Sequence, residues 1–585
     1  MDTTRARVLI LTLTLSACGD DDDHATDTGG NAATDAMSDA VGPDAADTST
    51  GAEVSDVVAR WDPEITPWPM FGGDPQRTGR SAFDGPTSYT EGATGNWRYE
   101  AAGGASINMQ PTVTADGVYF GTWGLLRGAA TTDTATSLKS DGRYVGLGLD
   151  GAERFAIDPA PLAACYAYAA EAVSKMDEAW CGEDAGLHVT FYNGTIEGTG
   201  LVDPWSGLHY VGRGDGRLYA IAPDDGRVVW SFPTFDPTRP DHPDGGGEVV
   251  GGATMGPDGT IYFATFGVPW PGDSESPARE TQAVYAIDRQ GDLVWRHPAQ
   301  AASLDNPVTA AVALSPDGGR VYVGTWGLDR KVTGRLLALE ARGDDASRVA
   351  WDLALEHATR PLKPDVWVRH VSVGGDGILY IGGTVARVIG AAPVVMAVRD
   401  LGASAEVVWV AEPDGYAEAQ TTLVQGLALG DGVVFASTGD VRDLNGREGR
   451  LAAIDMATGE VLATFDPGED APGSMTGPLV DRSGRVYVGT RGRHDLLAEP
   501  WAAASQWRRG VMFGLAWRAD ERRFAELWRR PVDAQLDWAT PAIDARGVLF
   551  FGSTAPLPTK LLAEIWDPME GVPPRTSPWL FAIAR

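Results

Sequence analysis

The apolar positions of this chain fall into short runs that alternate with polar residues and recur along its length. A run ending in Tyr-x-Gly or a close variant occurs eight times, at residues 118–121, 209–212, 261–264, 321–324, 379–382, 434–437, 486–489 and 549–552. Alternation with a period of two residues predicts β-strands, and recurrence at roughly 50 to 60 residues predicts a repeat architecture.

Each copy carries further strand signals around this opening run. After the second opener come strands at 217–221 and 228–230, joined by a Pro-Asp-Asp-Gly turn, and an apolar run precedes most openers. Four strands in each of eight copies predict an all-β fold, an eight-bladed β-propeller of four-stranded antiparallel blades. The chain ends in a third strand, whereas residues 94–99 carry an outer-strand signal with no opener before it. We therefore expect the N-terminal strand to close the last blade.

The copies resemble the propellers of the pyrroloquinoline-quinone (PQQ) repeat family, whose blades carry Ala-x-Asp-x-x-x-Gly-x-x-x-Trp. Ala220, Gly226 and Trp230 keep that spacing, whereas Phe155 and Ala463 stand where Trp is expected in the first and sixth copies. The resemblance covers about five-sixths of the chain and implies the quinoprotein alcohol dehydrogenase-like superfamily. Residues 68–81 resemble the lead-in segment that precedes many such bacterial propellers.

The first residues resemble an export signal. Arg5 and Arg7 precede a short apolar run, and Leu-Ser-Ala-Cys at 15–18 resembles a bacterial lipobox, which implies that Cys18 is lipidated. The alternative is an ordinary cleaved signal peptide. Residues 19–59 contain eleven acidic residues and no Lys or Arg, a composition typical of a disordered tether. The predicted organisation is a signal peptide over 1–17, a tether over 18–62, a lead-in over 63–93 and a propeller over 94–585.

The acidic charge of the chain limits the classes of partner that it is expected to bind. The formal net charge of −33 disfavours nucleic acid, and we expect a monomeric propeller that contacts the membrane only through its lipid anchor.

An even pair of cysteines, Cys165 and Cys181, predicts a disulfide in an exported chain. The intervening residues predict a short helical insertion near 160–182, but one continuous helix would separate the two Cys by roughly 24 Å. Either the helix breaks near Ser174 or the bridge does not form, and we favour a broken helix with a bridge.

Connection lengths divide the predicted propeller into two faces. Turns between the first and second strands, and between the third and fourth, are tight, whereas the connections at the opposite ends of the strands are mostly long. Because repeat proteins often bind through the face that carries their insertions, the long connections mark the candidate binding face. The candidates there are Trp123, Trp326 and Arg491, and those at the mouth of the axial channel are Asn108, Gln110, Asn306, Arg369, His370, Gln425, Asp537 and Trp538. The alternative is that the side chains on the long connections only pack the loops together, and that those at the channel mouth are rim residues whose polar groups are hydrogen-bonded within the protein.

Signals for catalysis are few. The family resemblance includes PQQ-dependent alcohol dehydrogenases, but the adjacent Cys pair and the Cys-x-x-Cys-His segment of those enzymes are missing from this sequence. We therefore favour a protein-binding scaffold without a cofactor or metal, lipid-anchored to a bacterial membrane, with the outer membrane favoured, and with envelope proteins as partners. In architecture it resembles the propeller lipoprotein of the outer-membrane β-barrel assembly machine. The alternatives are a PQQ- and calcium-dependent alcohol or sugar dehydrogenase and a surface glycan-binding module.

Overall fold

Short apolar runs become strands because β-branched and aromatic residues pack well on a pleated surface. The computed structural model describes residues 62–101, 106–107, 109–122, 142–159, 196, 198–214, 216–234, 249, 251–265, 282–298, 308, 311–325, 334–343, 348–355, 366–386, 391–413, 422–440, 449–471, 473–492, 509–532, 534–536, 540–554 and 579–585. Over these ranges, 32 strands form eight separate four-stranded antiparallel sheets. The predicted eight-bladed all-β propeller is thereby confirmed. The predicted helical insertion near 160–182 lies outside the described residues.

The first four blades follow the chain in order, each running from its inner strand to its outer strand. Blade 1 contains β2 (Thr112–Val113), β3 (Gly117–Gly121), β4 (Tyr144–Gly148) and β5 (Glu153–Ile157). Blade 2 contains β6 (Leu201–Val202), β7 (His209–Arg213), β8 (Arg217–Ile221) and β9 (Val228–Pro233). Blade 3 contains β10 (Thr254–Met255), β11 (Ile261–Ala264), β12 (Val284–Ile287) and β13 (Leu293–His297). Blade 4 contains β14 (Ala313–Leu314), β15 (Arg320–Gly324), β16 (Arg335–Glu340) and β17 (Val349–Ala354).

The next three blades repeat this order, and the last is completed from the N-terminal side. Blade 5 contains β18 (Val366–Val373), β19 (Ile378–Ala386), β20 (Ala391–Asp400) and β21 (Ala405–Ala411). Blade 6 contains β22 (Thr422–Leu429), β23 (Val433–Asp440), β24 (Leu451–Asp455) and β25 (Val461–Phe465). Blade 7 contains β26 (Leu479–Val480), β27 (Arg485–Thr490), β28 (Gly510–Arg518) and β29 (Arg523–Val532). Blade 8 contains β30 (Ala542–Ile543), β31 (Leu549–Phe551), β32 (Trp579–Ile583) and the outer strand β1 (Trp97–Glu100).

An aromatic pair joins the second and fourth strands in seven blades. The ring centroids lie 5.4–6.2 Å apart in Tyr119–Phe155, Tyr210–Trp230, Tyr262–Trp295, Tyr322–Trp351, Tyr380–Trp409, Tyr487–Trp528 and Phe550–Trp97. In blade 6, where Ala463 replaces the aromatic residue, Trp517 from the neighbouring β28 packs on Phe435 at 6.1 Å. Every blade therefore keeps an aromatic core, which explains the recurring Tyr and Trp of the sequence.

The glycine of the Tyr-x-Gly phrase lets each blade approach the next. A Cβ on Gly121 would lie 2.3 Å from the carbonyl oxygen of Ile196, and one on Gly552 would lie 2.0 Å from that of Ile107. These segments enter the following blade and are held by backbone hydrogen bonds from Ile196 to Thr122 and from Ile107 to Ser553. Glycine is required there because two backbones meet closely.

The last blade is closed by β1, as the sequence predicted. Its partner is β32, with Trp97 opposite Ala582 and Glu100 opposite Trp579. The Trp97 ring packs on Phe550 of the same blade, and its indole N–H donates to the Leu149 carbonyl of blade 1 at 3.1 Å. Ring closure therefore joins the two ends of the propeller sequence through both a strand pair and a side chain.

The lead-in segment lies inside the ring, along the axis. Residues 66–81, called the axial strap below, meet the innermost strands near the ends from which the tight turns leave. Just before the strap, beside blade 1, the Ile65 carbonyl accepts the Ala115 N–H, and the strap ends over blade 7, where the Ser81 N–H donates to the Val480 carbonyl. The face carrying the tight turns, called the turn face below, is therefore closed at the axis by the chain itself.

Candidate functional site

The axial cavity lies directly behind the strap. Its floor is made by strap residues, and its wall is made by residues in or just before the innermost strands: Phe71, Gly72, Arg77 and Gly79 below, with Gln110, Ala311, His370, Val371, Ser372, Gly426, Leu427, Gly477, Pro478 and Thr540 around. Its volume is about 30 Å³, far below the roughly 300–1,000 Å³ of a typical small-molecule pocket. The wall is tight because small residues face one another, as at Gly477, where a Cβ would lie 2.3 Å from Thr540 Oγ1.

Arg77 is the charged group of the cavity floor, and its guanidinium is bonded to backbone oxygens. Nε donates to Val312 O at 3.0 Å, Nη2 donates to Gly252 O at 2.7 Å and Ala253 O at 3.1 Å, and Nη1 donates to Phe71 O. Burial lowers the pKa of Arg77 to about 9, and the charge of Asp74 opposes that shift. The guanidinium therefore ties the strap to blades 3 and 4.

Two predicted channel-mouth residues, Gln110 and His370, line the cavity wall. Gln110 is buried and uses both ends of its amide, accepting the Gly72 N–H at 2.7 Å and donating to the Pro541 carbonyl at 2.7 Å. The His370 ring stacks on Phe71 with centroids 6.5 Å apart. Burial and the nearby charge of Arg369 lower the His370 pKa to about 3, against a hydrogen bond with the Gln425 backbone. Both side chains hold the strap, and His370 does so as a neutral ring.

The other predicted site residues are placed as follows. Arg369 lies half-buried in β18, and Gln425 is buried in β22. Arg491 follows β27, where its backbone pairs with Ser474 and Leu536. The structure thus brings Gln110 and His370 together across one cavity. The remaining candidates lie outside the described residues: Cys18, Asn108, Trp123, Cys165, Cys181, Asn306, Trp326, Asp537 and Trp538.

Sequence reasoning missed the strap residues that form the cavity floor. Phe71 and Arg77 belong to the lead-in, which the sequence marked as a family feature without placing it in the channel. A usable signal was present, because Arg77 stands among Gly72, Gly73 and Gly79, all of which adopt positive φ angles. A glycine-rich segment with one arginine is typical of backbone that must turn tightly in a confined space.

The face opposite the turns, called the loop face below, is built on a repeated hydroxyl. In six blades a Thr or Ser directly after the opener accepts a backbone N–H at the start of the third strand, over 2.7–3.3 Å: Thr122 from Arg143, Thr265 from Ala283, Thr325 from Arg335, Thr438 from Arg450, Thr490 from Val511 and Ser553 from Trp579. Both ends of the connection are fixed to the sheet by this bond. The connection between them is therefore free to vary in length, from residues 325–334 in blade 4 to residues 552–578 in blade 8.

Over the described ranges, no group of three or more His, Cys, Asp or Glu side chains is arranged to hold a metal ion. In the described cavity wall, both polar ends of the Gln110 amide are engaged by the protein itself.

Residues 206–512, more than half of the chain, match the sequence profile of the family described as outer membrane protein assembly factor BamB. The chain belongs to this family. The predicted membership among PQQ-type propellers is thereby confirmed. The match runs from blade 2 into β28 of blade 7, so it rests on the repeats themselves.

One curated relative of this BamB-family chain is a dehydrogenase. Quinohemoprotein alcohol dehydrogenase ADH IIB of Pseudomonas putida is 29% identical over 174 residues, covering 25% of this chain. The chain spans only about a quarter of that relative's length, 24%.

Two solved structures share the fold over most of the BamB-family chain. Quinohemoprotein alcohol dehydrogenase from Comamonas testosteroni aligns over 91% of this chain and 82% of its own, with 11% identity and a TM-score of 0.54. Quinohemoprotein alcohol dehydrogenase ADHIIG from Pseudomonas putida HK5 covers 92% and 83%, with 14% identity and a TM-score of 0.51. At these identities the likeness concerns the propeller fold.

Proposed function

We propose that this protein is a lipid-anchored scaffold of the bacterial cell envelope that binds another envelope protein through its loop face. The observation that carries the proposal is the opposition of the two faces. The described chain begins at Asp62, close to the turn of blade 1. Three residues later, the Ile65 carbonyl accepts the Ala115 N–H of that turn at 2.7 Å. A tether running from Cys18 to this point joins the body on the turn face and leaves the loop face free for a partner.

The family description supports the same interpretation, since it names an assembly factor of the outer membrane. The loop face also carries the connections that differ most between blades, and repeat proteins commonly bind there. Within the described residues no helix is long and apolar enough to cross a membrane. Under this proposal the anchor is the lipid on Cys18, and the outer membrane is the favoured location.

A photo-crosslinking residue at Arg509 is expected to capture a defined envelope protein in intact cells, because Arg509 is exposed on the loop face immediately before β28. The matched control is Asp431, which is exposed on the turn face in an ion pair with Arg80. Capture is measured by mass spectrometry of the crosslinked band, with at least tenfold enrichment at Arg509 over Asp431. Equal capture from both faces would contradict the proposal that the partner binds the loop face.

Replacing Cys18 with serine is expected to move the protein from the membrane pellet to the soluble envelope fraction. The physical reason is that a serine cannot form the thioether that carries the diacylglyceryl group. Fractionation followed by immunoblotting measures the shift, with Cys165→Ser as the control that keeps the anchor. A Cys18→Ser variant that still pellets quantitatively with membranes contradicts the anchor.

A second candidate function is a PQQ-dependent alcohol or sugar dehydrogenase, favoured by the 29% identical segment shared with a quinohemoprotein alcohol dehydrogenase. If bound, the quinone would accept hydride or its equivalent from the alcohol. Reconstitution with PQQ and calcium distinguishes the two functions. Dye-linked alcohol oxidation by the reconstituted protein supports the enzyme, and its absence together with loop-face capture supports the scaffold.

A further inference from the structure

The axial strap contacts the ring through backbone hydrogen bonds at the ends of successive innermost strands. We propose that the axial channel is a peptide-binding site whose ligand is the chain's own strap, pinned by Arg77. The site closes the channel at the turn face and couples the blades to one another. This inference does not depend on the proposed scaffold function, because it concerns the opposite face of the ring.

Backbone carbonyls of the strap accept hydrogen bonds from one innermost strand after another. The last N–H of six innermost strands donates to a strap carbonyl over 2.7–2.9 Å: Val113 to Trp68, Val202 to Pro69, Leu314 to Pro75, Val373 to Gln76, Leu429 to Thr78 and Val480 to Gly79. An innermost strand is a free sheet edge on its axial side, and an added extended segment is the usual way to pair such an edge. The strap pairs the edges of blades 1, 2, 4, 5, 6 and 7 in chain order.

One strap residue, Arg77, contacts blades 3, 4 and 5. Arg77 donates to the carbonyls of Gly252 and Ala253 before β10 and of Val312 before β14. The Arg77 carbonyl accepts the Ser372 hydroxyl at 2.8 Å, which ties the same residue to blade 5. Lysine cannot replace a guanidinium that donates four hydrogen bonds to carbonyls, because an ammonium carries only three donors.

The strap is oriented by its own short contacts. Arg77 adopts a left-handed φ of 60°, and Asp74 accepts the Thr78 N–H at 3.0 Å, closing a turn around it. Gly79 passes so close to blade 6 that a Cβ there would lie 2.9 Å from the Ala428 Cβ. A segment this specific in sequence and conformation binds one site in one register. The strap therefore closes the turn-face end of the channel in a single defined position.

The test nicks the chain after it has folded. A site-specific protease sequence is inserted after Gly92, whose turn lies between the strap and β1 and has open space around the Cα position. The full-length protein is purified, cleaved and passed through gel filtration. We expect the N-terminal fragment to elute with the propeller in the wild type. The Arg77→Ala variant is expected to release the fragment at least tenfold faster.

The matched control is Arg80→Ala, which removes another arginine of the same segment whose ion pair with Asp431 is exposed. This variant is expected to retain its fragment as the wild type does.

A second measurement does not require the Arg77→Ala variant of the whole protein to fold. Fluorescent peptides of residues 62–86, with and without the Arg77→Ala change, are exchanged into the nicked wild-type protein, and only the unchanged peptide is expected to bind. Immediate loss of the wild-type fragment, or equal binding of both peptides, overturns the proposal.

Discussion

Replacing Gly552 with alanine is expected to lower the free energy of unfolding by about 3 kcal/mol, at the upper end of the usual effect of overpacking. The added Cβ would stand 2.0 Å from the Ile107 carbonyl oxygen and 2.5 Å from its Cγ2. Neither atom is the end of a flexible chain, because Ile107 is itself bonded through its N–H to the Ser553 carbonyl. The substitution therefore pushes blade 8 away from the segment that enters blade 1, where the ring closes.

The control is Gly375→Ala on the turn face. Gly375 is exposed, and a Cβ added there would meet no atom within 4 Å. Its φ is not positive, so alanine fits the backbone and the expected change stays within about 0.5 kcal/mol. Urea unfolding followed by Trp fluorescence measures both variants. If Gly552→Ala unfolds at the same urea concentration as Gly375→Ala, the close approach of blades 8 and 1 does not limit stability.

Acidification is expected to destabilise the propeller between pH 6.5 and pH 3 through His209. This side chain is fully buried between blades 1 and 2, where its Nδ1 lies 2.7 Å from the Tyr144 hydroxyl and its ring lies against Tyr119. Burial lowers its pKa from 6.5 to about 3, opposed by the charge of Asp116. The unfolded chain thus takes up a proton near pH 6.5 and the folded protein only near pH 3.

Because the unfolded state binds more protons throughout this window, the stability is complete above pH 6.5 and is lost as the pH falls. The loss from His209 is about 1.4 kcal/mol for each pH unit, or roughly 5 kcal/mol over the window. His370 acts in the same direction, with a smaller share because it is only half-buried beside the cavity. Urea midpoints measured at pH 7, 6, 5 and 4 give the slope.

The variant that isolates this effect is His209→Asn. It is expected to be less stable than the wild type at pH 7, because packing against Tyr119 is lost, but to lose less stability on acidification. The difference in slope between the two proteins should approach about 1.4 kcal/mol per pH unit, the value for one titrating group. Parallel pH profiles would show that His209 does not titrate on unfolding.

The repeat pattern predicted the blades well, because each strand is a local feature. The Tyr-x-Gly runs became second strands, and the Trp97 strand closed the last blade opposite β32. The weak sixth copy shows the limit of local patterns. Ala463 suggested a missing core residue, but Trp517 and Phe524 of the next blade fill that place around Phe435. Because the compensating side chains belong to another blade, the sequence around Ala463 does not indicate that its place in the core is filled.

The candidate site was predicted less completely. Gln110 and His370 were placed at the channel mouth by their position before the innermost strands, and both line the axial cavity. Their main contacts are with Gly72 and Phe71 of the strap. Those partners are 38 positions away for Gln110 and far more distant for His370, so no periodicity connects them. Their predicted role in binding an outside ligand stays a prediction.

By itself the sequence determined the number of blades, the strand order within each blade, the closure by the N-terminal strand and the contrast between a turn face and a loop face. These follow from alternation, turn residues and repetition, which act over a few residues at a time. Only the tertiary structure decided that the lead-in fills the channel and that Arg77 ties blades 3 and 4 to it. Those contacts depend on carbonyl groups, which every residue carries, and so the glycines around Arg77 could indicate a tight turn but not the partners of its guanidinium.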